Sequence, residues 1–162
     1  AHVVVDEAQD LTLFQLRAVM RRSDGLTLVG DDAQRSVAAG LGLRKVAEML
    51  GTPLEQMDIA YRMSAEIADW LNAHARRNGI DSVRLVGIRP NGIAVVDAPG
   101  TDAETHRARL AERWENVALI ERSDVWSHKG VEYDGVVVDT AGLSAHEVYL
   151  AASRAAHELV IV

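Results

Sequence analysis

Val3-Val4-Val5-Asp6-Glu7-Ala8-Gln9-Asp10 opens with three β-branched residues and runs straight into two adjacent carboxylates. Stiff side chains of this kind favour an extended backbone, and an apolar run without alternation reads as a strand buried on both faces. The C-terminal end of such a strand is a place for a site. There one carboxylate can hold Mg²⁺ through its water shell while its neighbour orients an attacking water. A core strand followed by a solvated acidic turn would show the same Asp-Glu pair.

Outward from this stretch, strand-like and helix-like segments alternate along the 162 residues, the pattern of an α/β protein with a parallel sheet. Thr12 is placed to cap a helix with Leu13, Leu16, Val19 and Met20 on one face. Asp24-Gly25 reads as a turn and Leu26 to Val29 as the next strand, which leaves the sheet through the polar loop Gly30-Asp31-Asp32-Ala33-Gln34. Leu43 to Leu50 is a short helix stopped by Gly51 and Pro53. A brief strand is expected over Met57 to Ala60, and a helix capped by Ser64 runs to about Arg77. Further strands are expected over 93–96, 117–120, 133–138 and 159–162, with helices over 103–114 and 144–155. The expected boundary divides the chain into residues 1–55 and 56–162.

Composition narrows the function classes. Hydrophobic residues make up 48%, enough for a core, and cysteine is absent, so neither a disulfide framework nor a cysteine zinc site is present. That usage, with no secretory signal and no apolar run of about 18 residues, leads us to expect a cytoplasmic protein without a membrane partner. Formal net charge is −7, which argues against tight nucleic-acid binding by this chain alone. The first residue is Ala, directly ahead of a strand pattern, and we expect a piece of a longer protein.

Five stretches, in order, resemble motifs of the UvrD/Rep-type helicases of the first helicase superfamily. Val3 to Asp10 is similar to the Walker B segment, and Leu28 to Gln34 to motif III. Tyr61-Arg62-Met63-Ser64 resembles the Asn-Tyr-Arg-Ser of motif IV, with Ala60 in place of the Asn. Lys129-Gly130-Val131-Glu132-Tyr133-Asp134 resembles Lys-Gly-Leu-Glu-Phe-Asp of motif V. Tyr149-Leu150-Ala151-Ala152-Ser153-Arg154-Ala155 resembles motif VI, with Ser153 replacing Thr. The resemblance implies a RecA-like parallel sheet with flanking helices: the back part of a first motor lobe over 1–55 and a second lobe over 56–162.

It also implies roles. Such motors bind ATP with Mg²⁺ between two lobes and couple hydrolysis to movement of DNA. Asp6 would hold the metal, Glu7 would activate water, and Gln34, tied by Asp31 to the Walker B segment, would sense the γ-phosphate. Arg62 and Arg154 would neutralise that phosphate, as suits a group that is always charged and forks onto oxygens. Glu132 would accept from the ribose, and Lys129 would face the DNA backbone. Three departures stand beside the resemblance. Arg35 to Gly40 supplies no aromatic residue for base stacking where the family usually has one. His128 abuts Lys129, out of register with the family's histidine, and reads as structural. No Gly-x-x-x-x-Gly-Lys-Ser/Thr loop occurs in these residues, so the phosphate cradle is expected upstream, and there is little room for an accessory domain ahead of motif V. The same features also resemble the bacterial helicase-like factors that bind RNA polymerase. A scaffold without a nucleotide role is a third alternative.

Overall fold

The computed structural model describes residues 1–162. The chain divides into two compact units, Ala1–Gln56 and Met57–Val162. It is a mixed α/β protein whose strand pairings are all parallel.

In the first unit β1 (His2–Val5) lies beside β2 (Gly25–Leu28), with Val3 opposite Leu26 and Val5 opposite Leu28. The connection is α1 (Leu13–Met20). A capping box sets its start: the Thr12 hydroxyl accepts from the Gln15 N–H at 3.3 Å, and the Gln15 carboxamide accepts from the Thr12 N–H at 2.9 Å. α2 (Leu43–Leu50) follows Gly42, which has no side chain to cap it. Asp32 does so from a distance, accepting from the N–H groups of Leu43 at 2.6 Å and Arg44 at 3.3 Å.

The β-branched run of β1 predicts burial on both faces, and here the structure differs. Val3 and Val5 are half-buried, whereas Val4 is 66% exposed. Successive side chains leave opposite faces of a strand, and within this unit only one face is covered. His2 and Thr27 share the open face with Val4, the His2 Nε2 lying 2.9 Å from the Thr27 hydroxyl.

The second unit holds β3 (Ile59–Ser64), α3 (Ala65–Asn78), β4 (Val86–Arg89), β5 (Val96–Asp97), α4 (Ala103–Ala111), β6 (Val117–Ile120), β7 (Tyr133–Val138), α5 (Ala145–Ala152) and β8 (Ala155–Ile161). β3 pairs with β4, and the other strands form a sheet in the order β5-β8-β7-β6. Val136, Val137 and Val138 are fully buried, because a central parallel strand is covered on both sides. Leu110, Val137, Val160 and Val162 pack together with Trp114 against them. The one buried carboxylate, Glu158 on β8, accepts from Trp114 Nε1 at 2.9 Å and meets Arg113 Nη1 at 3.0 Å, as a buried charge requires. α5 starts on a second capping box. There the Ser144 N–H donates to Glu147 at 2.7 Å and holds its carboxyl below the usual carboxylate range.

Several expectations are corrected here. Arg62 sits inside β3 rather than in a loop ahead of a helix. β4 is a strand the pattern did not suggest, its apolar residues being few and broken by Gly87. That glycine is needed: a Cβ there would stand 2.5 Å from the Ala65 Cα and 2.8 Å from its nitrogen. The helix expected to run to Ala155 ends at Ala152, since Ala155 is taken into the sheet opposite Tyr133. Good helix-forming residues there yield to tertiary pairing.

Candidate functional site

In the first unit the strand ends of β1 and β2 deliver two polar loops side by side. The Ala8 N–H donates to the Val29 carbonyl at 2.9 Å, and the Val29 N–H donates to the Val5 carbonyl at 2.9 Å. Asp6 is exposed, and its Oδ1 accepts from the Glu7 N–H at 2.8 Å. Glu7 has φ 52°, the single non-glycine residue in the left-handed region. Such a conformation costs on the order of 1–2 kcal/mol, and it persists where surrounding bonds over-determine it. Here the adjoining 3₁₀ turn, Ala8–Asp10, does so through Asp10 N–H to the Glu7 carbonyl at 3.1 Å.

The loop after β2 is organised by Asp31. Its Oδ1 accepts from the Ala33 N–H and its Oδ2 from the Gln34 carboxamide, each at 2.9 Å. Gln9 joins this loop to the other one. Its Nε2 donates to Glu7 Oε2 at 2.6 Å, and its Oε1 accepts from the Asp31 N–H at 3.2 Å. The order Glu7, Gln9, Asp31, Gln34 is therefore a continuous hydrogen-bonded chain. Asp10 pins the segment just beyond Gln34, accepting from the N–H groups of Ser36 at 2.8 Å and Val37 at 3.0 Å. The link from Asp31 to the stretch Val3 to Asp10 thus runs through its backbone N–H and Gln9.

Gln9, Asp10 and Asp32 were not singled out by sequence reasoning. For Gln9 a signal existed: an amide directly behind a buried-strand pattern has to find partners when it is covered.

In the second unit, Arg62 Nε lies 2.8 Å from Glu132 Oε1, and both side chains are largely exposed. Tyr61, beside Arg62 on β3, is 63% exposed and offers an open aromatic face. Arg154 stands in the turn from α5 to β8 and is only 8% exposed. Its Nη2 donates to the Ser153 hydroxyl at 2.8 Å, and its carbonyl accepts from the Tyr133 N–H at 2.9 Å. Arg62, Glu132 and Arg154 are thereby gathered about the start of β7. Lys129, half-buried, closes the 3₁₀ turn Val125–His128 just ahead of it. His128 braces that turn. Its Nδ1 is 2.8 Å from the Tyr133 hydroxyl, and its Nε2 lies 3.2 Å from Asp124, too poorly aligned for a hydrogen bond.

No group of three or more His, Cys, Asp or Glu residues is arranged to hold a metal ion. A dehydrated cation in an all-protein cage does not fit. Mg²⁺ does fit Asp6, since that ion keeps most of its waters and takes one or two carboxylates together with phosphate oxygens. No helix is long and apolar enough to cross a membrane.

No protein-family profile and no curated protein matches this sequence. Solved structures do. The helicase of PRRSV superposes with a TM-score of 0.68 at 16% identity, covering 99% of this chain and 34% of that one. Arterivirus nonstructural protein 10, a helicase, gives 0.65 at 17% identity over 99% of this chain and 38% of its own. The same arterivirus helicase in complex with DNA gives 0.64 at 19% identity, covering 99% and 39%. The chain spans little more than a third of these proteins. At such identities the likeness establishes the fold alone: an α/β arrangement of parallel sheets with flanking helices, shared with these helicases.

Proposed function

We propose that this chain is the downstream motor portion of an ATP-dependent DNA helicase or translocase of the UvrD/Rep type. In this reading Ala1–Gln56 is the back part of a first RecA-like lobe and Met57–Val162 a second lobe. The observation that carries it is the hydrogen-bonded chain from Glu7 through Gln9 and Asp31 to Gln34 at two parallel strand ends. In open α/β sheets, ligands bind outside the carboxyl ends of the strands.

Asp6 would hold Mg²⁺ through its waters, and that ion would supply neutralisation of phosphate charge. Glu7 then orients and deprotonates the attacking water. Gln34 can donate to a phosphate oxygen while Asp31 holds it. Arg62 and Arg154 offset charge on the transferred phosphoryl group, and Glu132 accepts from the ribose hydroxyls. Because Arg62 and Glu132 pair with each other, nucleotide binding by both would exchange that ion pair for contacts to the ligand. The exposed ring of Tyr61 is a surface on which a base can stack. No observation favours RNA polymerase as a partner or a scaffold without nucleotide. In the full-length protein, DNA-stimulated phosphate release that Glu7→Gln abolishes is the expected result. Release unaffected by that change would remove the assignment.

The isolated chain is expected not to turn over ATP, since it has no loop to grip the β- and γ-phosphates and the reacting groups lose their positioning. Steady-state phosphate release from purified chain, sensitive to Glu7→Gln, would contradict this. Lys129 is assigned to the DNA backbone, yet the isolated chain is also expected to bind single-stranded DNA weakly. Acidic residues outnumber basic ones 24 to 17, and the loop from Arg35 to Gly40 has no aromatic platform. Fluorescence anisotropy with a labelled oligonucleotide at about 150 mM salt decides it. Sub-micromolar binding weakened by Lys129→Ala would overturn the expectation.

A further inference from the structure

We infer that Gln9 is a positioning residue for the reaction proposed above, fixing the Glu7 carboxylate and tying it to the loop that carries Gln34. The inference rests on Glu7 being the water-activating group.

Gln9 is fully buried, and both ends of its side-chain amide are used. The assignment of those ends is forced. The Asp31 backbone N–H can only donate, so the Gln9 oxygen must face it, and the amide nitrogen is left facing Glu7. Glu7 Oε2 is therefore held as an acceptor, which fixes the rotation of the carboxylate plane.

The backbone around Gln9 is built to keep the amide there. Its own carbonyl accepts from the Gly42 N–H at 3.2 Å, so the main chain is anchored on the far side. Gly30 has no side chain to displace it: a Cβ at that position would stand 2.0 Å from Gln9 Oε1. Because Asp31 receives Gln9 through its N–H and Gln34 through its carboxylate, a shift of Gln34 reaches Glu7 by way of Asp31 and Gln9. The loop that senses the phosphate and the residue that activates water are thus mechanically one unit.

The test uses the full-length protein with three variants. Gln9→Met keeps the volume and loses both bonds. Gly30→Ala leaves Gln9 in place and pushes its amide aside. Glu7→Gln removes the group on which Gln9 acts. Thermal melting establishes that each is folded. The expected result is a fall in kcat of roughly 10–100-fold for Gln9→Met, and a fall in the same direction for Gly30→Ala. KM for ATP should stay within about threefold in both. The double variant Glu7→Gln/Gln9→Met should be no slower than Glu7→Gln alone, because Gln9 works only through Glu7. A kcat within about twofold of the parent in both single variants would overturn the inference. So would losses that multiply with that of Glu7→Gln, which is how a general structural defect behaves. If Glu7→Gln itself leaves turnover unchanged, the reading of the site fails and this inference with it.

Discussion

Arg154→Ala in the full-length protein is expected to cut ATP turnover by about 10³-fold while leaving nucleotide affinity within about tenfold. The reason lies in how the guanidinium is held. Arg154 is 8% exposed in a turn whose carbonyl is bonded to the first residue of β7, and its Nη2 donates to the Ser153 hydroxyl. A charge already oriented and partly out of water has little reorganisation to undergo when negative charge develops beside it, so its effect falls on the transition state. Ground-state binding has other contributors, which is why affinity should change less. Arg154→Lys separates charge from geometry: it keeps the cation but loses the fork, and should recover only part of the rate. Steady-state turnover and nucleotide binding, measured on variants whose melting is unchanged, check the split. Turnover within a few fold of the parent in Arg154→Ala would reduce Arg154 to a packing residue.

The second large effect is on stability. Gly87→Ala should cost the second unit roughly 2–4 kcal/mol, a large share of what holds a domain of this size together. The added Cβ would meet the Ala65 Cα at 2.5 Å, its nitrogen at 2.8 Å and the Ser64 carbonyl at 2.9 Å. All three are backbone atoms, so no rotamer change makes room. The strand pair β3 and β4, or the first turn of α3, has to move. That turn is capped by Ser64, and β3 carries Arg62, so the damage reaches the candidate site. Urea denaturation should show a clear drop in midpoint. Trimming Ala65 to glycine should not rescue it, since no side-chain atom is responsible. A loss below about 0.5 kcal/mol would mean that the two segments can separate freely.

What the sequence determined by itself is everything that rests on short-range pattern. Thr12 with Gln15 and Ser144 with Glu147 start their helices through bonds spanning three residues, and the run from Val136 to Val138 could be stable only as a buried strand. The loops at 6–10 and 30–34 were legible as polar strand ends, while the roles expected of Asp6, Glu7, Asp31 and Gln34 came from the motif resemblance. Tertiary structure decided the rest. Val4 is open although its neighbours suggest a buried strand, because coverage depends on what lies across the sheet. Gly87 looks like a break in a pattern until Ala65 is seen against it. Arg62 meets Glu132, Arg154 is buried, and Gln9 reaches both Glu7 and Asp31, each through partners brought near by chain closure. The physical reason is one of range. Propensity and periodicity act over a few residues, whereas the partner of a buried polar group is chosen by whichever distant segment the packed core places beside it.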